Sequence, residues 1–205
     1  MNFIEFRNRF FSLAGFNINQ VYAAYPGFNR NNLVNWVKQG YLVRLRQGYY
    51  AFPDYRGSAE MTLFFGNLIY KPSYISLHTV LSFYGIIPEA VPQITSVTTL
   101  KTMTFENDFG EYSYKSIKPA MMFGYDLKET EGGRHTRFAT PEKALIDLLY
   151  LYPFYDAERD FEELRLDESF MEQDFNTARF TEFCDRIGSK ALSSRVNMLR
   201  KVYNL

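Results

Sequence analysis

The chain has 205 residues, 46% hydrophobic and 22% charged, a balance that suits one or two folded domains with a buried core and excludes a disordered chain. Its single cysteine, Cys184, excludes an intramolecular disulfide. A formal net charge of zero argues against a nucleic-acid binder that is basic throughout.

Taken in chain order, residues 3–13 predict a first helix, because Phe3, Phe6, Phe10 and Leu13 recur at spacings of three and four; Gly15 ends it. Asn17 predicts the cap of a second helix over 18–25, closed by Pro26-Gly27. Glu5, Arg7 and Arg9 stand where a signal peptide would need its apolar core. The longest uncharged run, 72–88, is bounded by prolines and interrupted by Ser, His and Gly, which makes a poor membrane span. These features predict a cytoplasmic protein with no membrane partner.

Residues 28–53, F-N-R-N-N-L-V-N-W-V-K-Q-G-Y-L-V-R-L-R-Q-G-Y-Y-A-F-P, organise the rest. Asn29 predicts a helix N-cap and Gly40 a helix exit. Between them Leu33, Val34, Trp36 and Val37 share one half of the helical wheel, and Asn31, Asn32, Asn35, Lys38 and Gln39 share the other. Amide side chains of this kind can pair bidentately with adenine edges in a major groove. A hairpin follows over 42–45 and 49–52, turning at Arg46-Gln47-Gly48. Arg44 and Arg46, two apart, are predicted to project from one side of the strand. Three helices and a hairpin outline a winged helix-turn-helix, in which the third helix reads bases and the wing grips phosphates or a minor groove. The alternative is a solvated face on a common helix–hairpin unit.

Charge distribution favours the first reading. Residues 1–56 carry seven Lys/Arg against two acids, whereas 57–205 carry sixteen against twenty-one. Such asymmetry suggests different partners for the two segments, with phosphate on the basic one.

Asp54 to Ser58 reads as a linker, giving domains over 1–56 and 57–205. A helix is expected over 60–70. In 71–89 Ser76 predicts the cap of a helix to Tyr84, with Leu77, Val80, Leu81 and Tyr84 buried and Gly85 as the exit. Strands are expected over 94–99, 102–106, 112–117, 121–127 and 136–139, with turns at 107–110 and Gly132-Gly133. These predict an antiparallel meander over about 94–139, one face covered by helices. Thr140-Pro141-Glu142 opens a helix over 141–152 that buries Ala144, Leu145, Leu148 and Leu149. From 156 onward the chain reads as charged helix. The fold class expected is α+β: a winged helix-turn-helix domain, then a mixed α+β domain with an antiparallel sheet and C-terminal helices over 140–205.

Five motifs in order, R-L-R-Q-G-Y-Y-A (44–51), P-S-Y-I-S-L-H-T-V-L-S-F-Y-G-I-I-P-E (72–89), I-T-S-V-T (94–98), F-G-Y (123–125) and A-T-P-E-K-A-L-I-D-L-L-Y (139–150), resemble the AbiEi family of type IV antitoxins, which are also transcriptional regulators of viral defence systems. The resemblance covers about residues 15–170 and is weakest at the first helix and beyond 170. It implies an N-terminal domain that binds and represses the operon's own promoter. It also implies a C-terminal domain that counteracts a nucleotidyltransferase-like toxin and, in some members, helps to bind DNA.

The DNA-binding candidates are therefore Arg30, Asn31, Asn32, Asn35, Lys38 and Gln39 on the helix and Arg44, Arg46 and Gln47 on the hairpin. The partner is double-stranded DNA, the chain's own promoter. Asp156, Glu158, Asp160, Glu162 and Glu163 head a run to Asp174 with nine acids against two arginines. Such a run is usually a solvated helix face; the sharper reading is a surface that docks a toxin or competes with its tRNA-like substrate. The 72–89 motif reads as fold more than as site. His78 and His135 are the only histidines, and no pair has metal-ligand spacing, so no metal and no cofactor are expected. With no G-x-S-x-G and no P-loop lysine, no catalytic residue is assigned and no enzyme is expected. Two other readings fit the same residues: a metal-dependent nuclease with a DNA-binding domain, and a regulator with no toxin partner.

Overall fold

The computed structural model describes residues 1–205. The first helix, α1 (Phe3–Phe10), opens with a reciprocal cap: the Glu5 N–H donates to Asn2 Oδ1 at 2.9 Å and the Asn2 N–H to the Glu5 carboxylate. It ends earlier than its apolar stripe suggests, because residues Phe11–Leu13 tighten into a 3₁₀ turn. A short strand that periodicity did not predict, β1 (Gly15–Asn17), follows. Asn17 caps α2 (Ile18–Ala24) reciprocally with Gln20, as its position predicts. Next come α3 (Asn31–Lys38), β2 (Val43–Arg46) and β3 (Tyr49–Ala51). The three strands form one antiparallel sheet in the order β1-β3-β2.

Aromatic side chains dominate the core under this sheet. Phe6 lies 4.7 Å from Phe10 and from Trp36, and 5.3 Å from Phe16, ring centroid to centroid. Val21, Phe28, Leu33, Leu42, Tyr50 and Phe52 complete it. Each large ring buries much area per residue, which suits a unit too small for a thick aliphatic core.

Ser58 caps α4 (Ala59–Ile69), and this helix joins the two halves of the chain. Met61, Phe65 and Ile69 share a cluster with Ala14, Val43, Leu45 and Ala51 on one side and Tyr112 and Tyr114 on the other. Residues 54–58 are themselves exposed or half-buried, and this cluster draws its side chains from both sides of them.

The second sheet departs from the expected meander. Its six strands are β4 (Ser73–Ile75), β5 (Ile94–Thr98), β6 (Met103–Asn107), β7 (Gly110–Ser116), β8 (Tyr125–Thr130) and β9 (Arg134–Ala139). Their order is β6-β7-β5-β4-β9-β8. The β6–β7, β4–β5 and β8–β9 pairs are antiparallel, but β5–β7 and β4–β9 are parallel, so the sheet is mixed. Alternation identifies strands and says nothing of their order, which long-range burial sets. The central strand β4 is only three residues long and wholly buried, too short to show a period. Ser76 does not cap the next helix. Its N–H continues the sheet, donating to the Thr95 carbonyl at 3.0 Å, and α5 (His78–Phe83) starts after Leu77 at φ +60°.

Thr140 caps α6 (Pro141–Leu151), which packs on α5 and β9 over the main core. Four helices close the chain: α7 (Glu158–Glu163), α8 (Glu168–Gln173), α9 (Thr177–Ile187) and α10 (Lys190–Tyr203). The architecture is mixed α+β, with a mixed sheet and C-terminal helices. No helix is long and apolar enough to cross a membrane.

Candidate nucleic-acid interface

The outward surface of α3 is set by two buried anchors. Leu33 and Trp36 point into the aromatic core, which turns Asn31, Val34, Asn35, Lys38 and Gln39 outward. Val34 belongs to this outer face, at 44% exposure, and not to the buried stripe in which its hydropathy placed it. Leu33 and Trp36, with the half-buried Val37, hold the inner side of the helix, and Val34 lies off that side. Asn31, Asn35 and Lys38 follow one another at four and three residues, forming a single column. Asn32 is half-buried and faces the 24–29 segment, where it lines a cleft of about 440 Å³. Asn29 lies one residue outside the cap position, and its Oδ1 accepts from the Asn31 N–H at 2.9 Å. Arg30, at the cap position, is exposed. Gly40, at φ +76°, releases the chain into the hairpin.

The hairpin does not carry its two arginines on one side. Arg44 pairs with Tyr50 and Arg46 with Tyr49, so a bulge at Leu45 breaks the two-residue alternation. Arg44 is exposed. Arg46 is turned to the opposite face, where its guanidinium carbon lies 4.6 Å from the Tyr49 ring centre, 5.6 Å from Tyr70 and 5.4 Å from Phe105. It is a cation–π bridge from the hairpin to the second sheet. The hairpin is also tied down. The Gly48 carbonyl accepts from the Ile18 N–H at 2.9 Å, and the Leu45 carbonyl from Asn107 Nδ2 at 3.0 Å. Gln47 is exposed at the turn.

Ion pairing separates the cations of 1–56 further. Arg7 pairs with Asp54 and Arg56 with Asp108. Arg9, Arg30, Lys38 and Arg44 pair with no carboxylate. Three of these four are candidates from the sequence: Arg30 at the start of α3, Lys38 in its last turn and Arg44 on β2.

The acidic run is partly consumed by the fold. Glu158 pairs with Lys201 and Glu163 with Arg159. Asp160 accepts from the Asp156 and Ala157 N–H groups, and Asp167 caps α8. Glu162, Glu168, Glu172 and Asp174 are exposed and unpaired, as is the Asp156 carboxylate.

Sequence reading missed a buried polar knot. Tyr74, Ser76, Lys143 and Asp147 are all fully buried. Lys143 Nζ donates to Asp147 Oδ1 and to the Tyr74 hydroxyl, while the Tyr74 and Ser76 hydroxyls each donate to Asp147 Oδ2 at 2.8 Å. Burial pulls the Lys143 pKa down and pushes the Asp147 pKa up, each charge opposing its partner's shift. Burial, reinforced by Asp147, raises Tyr74 well above an ordinary phenol, so it stays a donor. Tyr125 stacks on Tyr74 at 4.9 Å. Gly124, at φ +74°, lets the backbone pass where a Cβ would meet Lys143 Cγ and Phe183 at 2.9 Å. Three of the five motifs, 72–89, 123–125 and 139–150, thus converge on one structural knot.

No family model and no curated protein sequence matches the chain. No group of three or more His, Cys, Asp or Glu side chains is placed to hold a metal ion. His78 packs edge-on to Tyr152 at 5.8 Å, and burial lowers its pKa. Cys184 is buried, its thiol pushed up to about 11.

Proposed function

We propose that the chain is a DNA-binding repressor of its own promoter and the antitoxin of a type IV pair, opposing a nucleotidyltransferase-like toxin in the cytoplasm. The observation that carries the DNA half is the exposed amide face of α3, with Arg30 and Lys38 unpaired at its two ends and Arg44 exposed and unpaired on the following hairpin. The element order α1-β1-α2-α3-β2-β3 supports a winged helix-turn-helix, with α3 as the recognition helix and β2–β3 as a short, anchored wing. Asn31 and Asn35 present bidentate amide groups of the type that reads adenine, and Val34 offers an apolar contact for a thymine methyl. The three free cations neutralise phosphates and set register without reading sequence. Repression follows from occupancy of the promoter.

The antitoxin half rests on the ordered motif set. Its physical support is the free carboxylates of α7 and α8, a surface able to compete for a basic substrate groove. The test is genetic. Supplied in trans, the chain is expected to lower a reporter driven by its own upstream DNA severalfold, and the Asn31→Ala, Asn35→Ala double variant is expected not to. Co-expression is also expected to relieve the growth arrest caused by the adjacent gene's product. Repression without such relief would leave a regulator and remove the antitoxin half.

A further inference from the structure

A second basic feature lies outside the α3 surface, where the end of α4 meets the edge hairpin β8–β9. Asn67, Lys71, His135 and Arg137 line a small cavity of about 120 Å³ there, with Phe64, Leu68 and Leu127 at its rim. His135 and Arg137 are two apart on β9 and share a face of the sheet. Lys71 lies two residues beyond α4.

Two independent features suit the cavity to a partner of negative charge. The first is Asn67, 6% exposed, whose Oδ1 accepts from the Arg137 N–H at 2.7 Å. That bond fixes the amide orientation and leaves Nδ2, a buried donor, with no acceptor. It is one of nine buried side-chain polar atoms of the chain without a hydrogen-bond partner, and the one that lines this cavity. The second is charge. Lys71, His135 and Arg137 form no ion pair; the seven pairs of the chain lie elsewhere. Burial and the neighbouring Arg137 cation pull the Lys71 pKa below that of an ordinary lysine. The one carboxylate on the same face of the hairpin, Glu129, sits opposite His135 and is exposed. Two cations without an ion pair, one of them with its guanidinium 5.9 Å from the Tyr125 ring centre, thus stand beside an orphan N–H donor.

We propose that this cavity is an oxyanion site that takes one phosphoryl group, with Arg137 and Lys71 supplying charge, His135 a ring N–H and Asn67 Nδ2 the buried donor. Arg–phosphate and amide–phosphate bonds of this type are charge-assisted. The volume, about 120 Å³, matches one phosphoryl group, the rest of the molecule lying outside. Phe64, Leu68 and Leu127 give the ester side an apolar rim. The ligand is a phosphate monoester, either a nucleoside monophosphate or the phosphorylated end of a nucleic acid strand. The site does not depend on what α3 binds.

With only two histidines, imidazole proton NMR reads the cavity directly. Inorganic phosphate, titrated at fixed pH and ionic strength, is expected to shift the His135 C2 proton saturably and leave His78 unmoved. Arg137→Gln and Asn67→Asp are expected to weaken this binding at least tenfold, since Asn67→Asp keeps the acceptor for the Arg137 N–H and turns the donor into a carboxylate. Lys71→Gln, at a side chain only partly covered, is expected to weaken it severalfold without touching the core. A nucleoside 5′-monophosphate and a 5′-phosphorylated oligonucleotide, each compared with its unphosphorylated counterpart, then name the source; tighter binding of either ester supports the site. A linear drift of His135 equal to that in chloride, or wild-type affinity in Arg137→Gln and Lys71→Gln, would overturn it.

Discussion

Replacing Asp147 with alanine is expected to destabilise the protein by about 3–5 kcal/mol, enough to unfold much of it at physiological temperature. The carboxylate is fully buried and accepts from Lys143, Tyr74 and Ser76. Its loss strands an ammonium group in the core and leaves two hydroxyls without their acceptor. Lys143→Met is expected to cost a similar amount, because it strands the opposite charge. The pair need not add net stability, since burial opposes both charges. The double variant Lys143→Met, Asp147→Leu is therefore expected to recover most of the loss. Urea unfolding of the four proteins gives the coupling energy. Single variants within about 1 kcal/mol of wild type would contradict the buried, mutually dependent pair.

The second large effect concerns DNA. Removing Arg30, Lys38 and Arg44 together is expected to flatten the dependence of log affinity on log salt by roughly 0.9 per phosphate contact, close to 3 in all. The loss should be nearly equal on all sequences. Asn35→Ala is expected to cost about 1–3 kcal/mol on the cognate duplex and almost nothing on a scrambled one. Arg46→Ala is expected to leave the salt slope unchanged, because its guanidinium is spent on Tyr49, Tyr70 and Phe105. It should instead loosen the junction between hairpin and second sheet by about 1–2 kcal/mol. Electrophoretic shifts across a salt series separate these cases. A slope that falls with Arg46→Ala and not with Arg44→Ala would reverse the assignment of the two arginines.

That reversal of roles shows where the sequence stops being readable. Local chemistry was legible: the Asn17 and Thr140 caps, the Gly40 exit and the turn at Gly132-Gly133 lie where side-chain and φ requirements placed them. Non-local geometry was not. One extra residue at Leu45 moved Arg46 to the other face of its strand, and no pattern within 42–52 announces a bulge. β1 and β4 are three residues each, shorter than any detectable period. Two parallel pairings carry β7 and β9 to the flanks of β5 and β4, and the chain records no register for either. Lys143 and Asp147, four apart on a helix, look like an ordinary exposed pair; only the surroundings reveal them as buried. Asn67 and Arg137, seventy residues apart, gave no signal at all before folding brought them together.

In the proposed function α3, with Arg30, Lys38 and Arg44, binds the chain's own upstream DNA. The measurement that bears on it most directly is a gel-shift titration of the purified protein on that DNA, against a scrambled duplex of equal length, with EDTA present and salt varied. The expected result is a shift specific to the upstream duplex, unaffected by EDTA and weakening steeply with salt. Equal affinity for the two duplexes, or no shift at low salt, would contradict it.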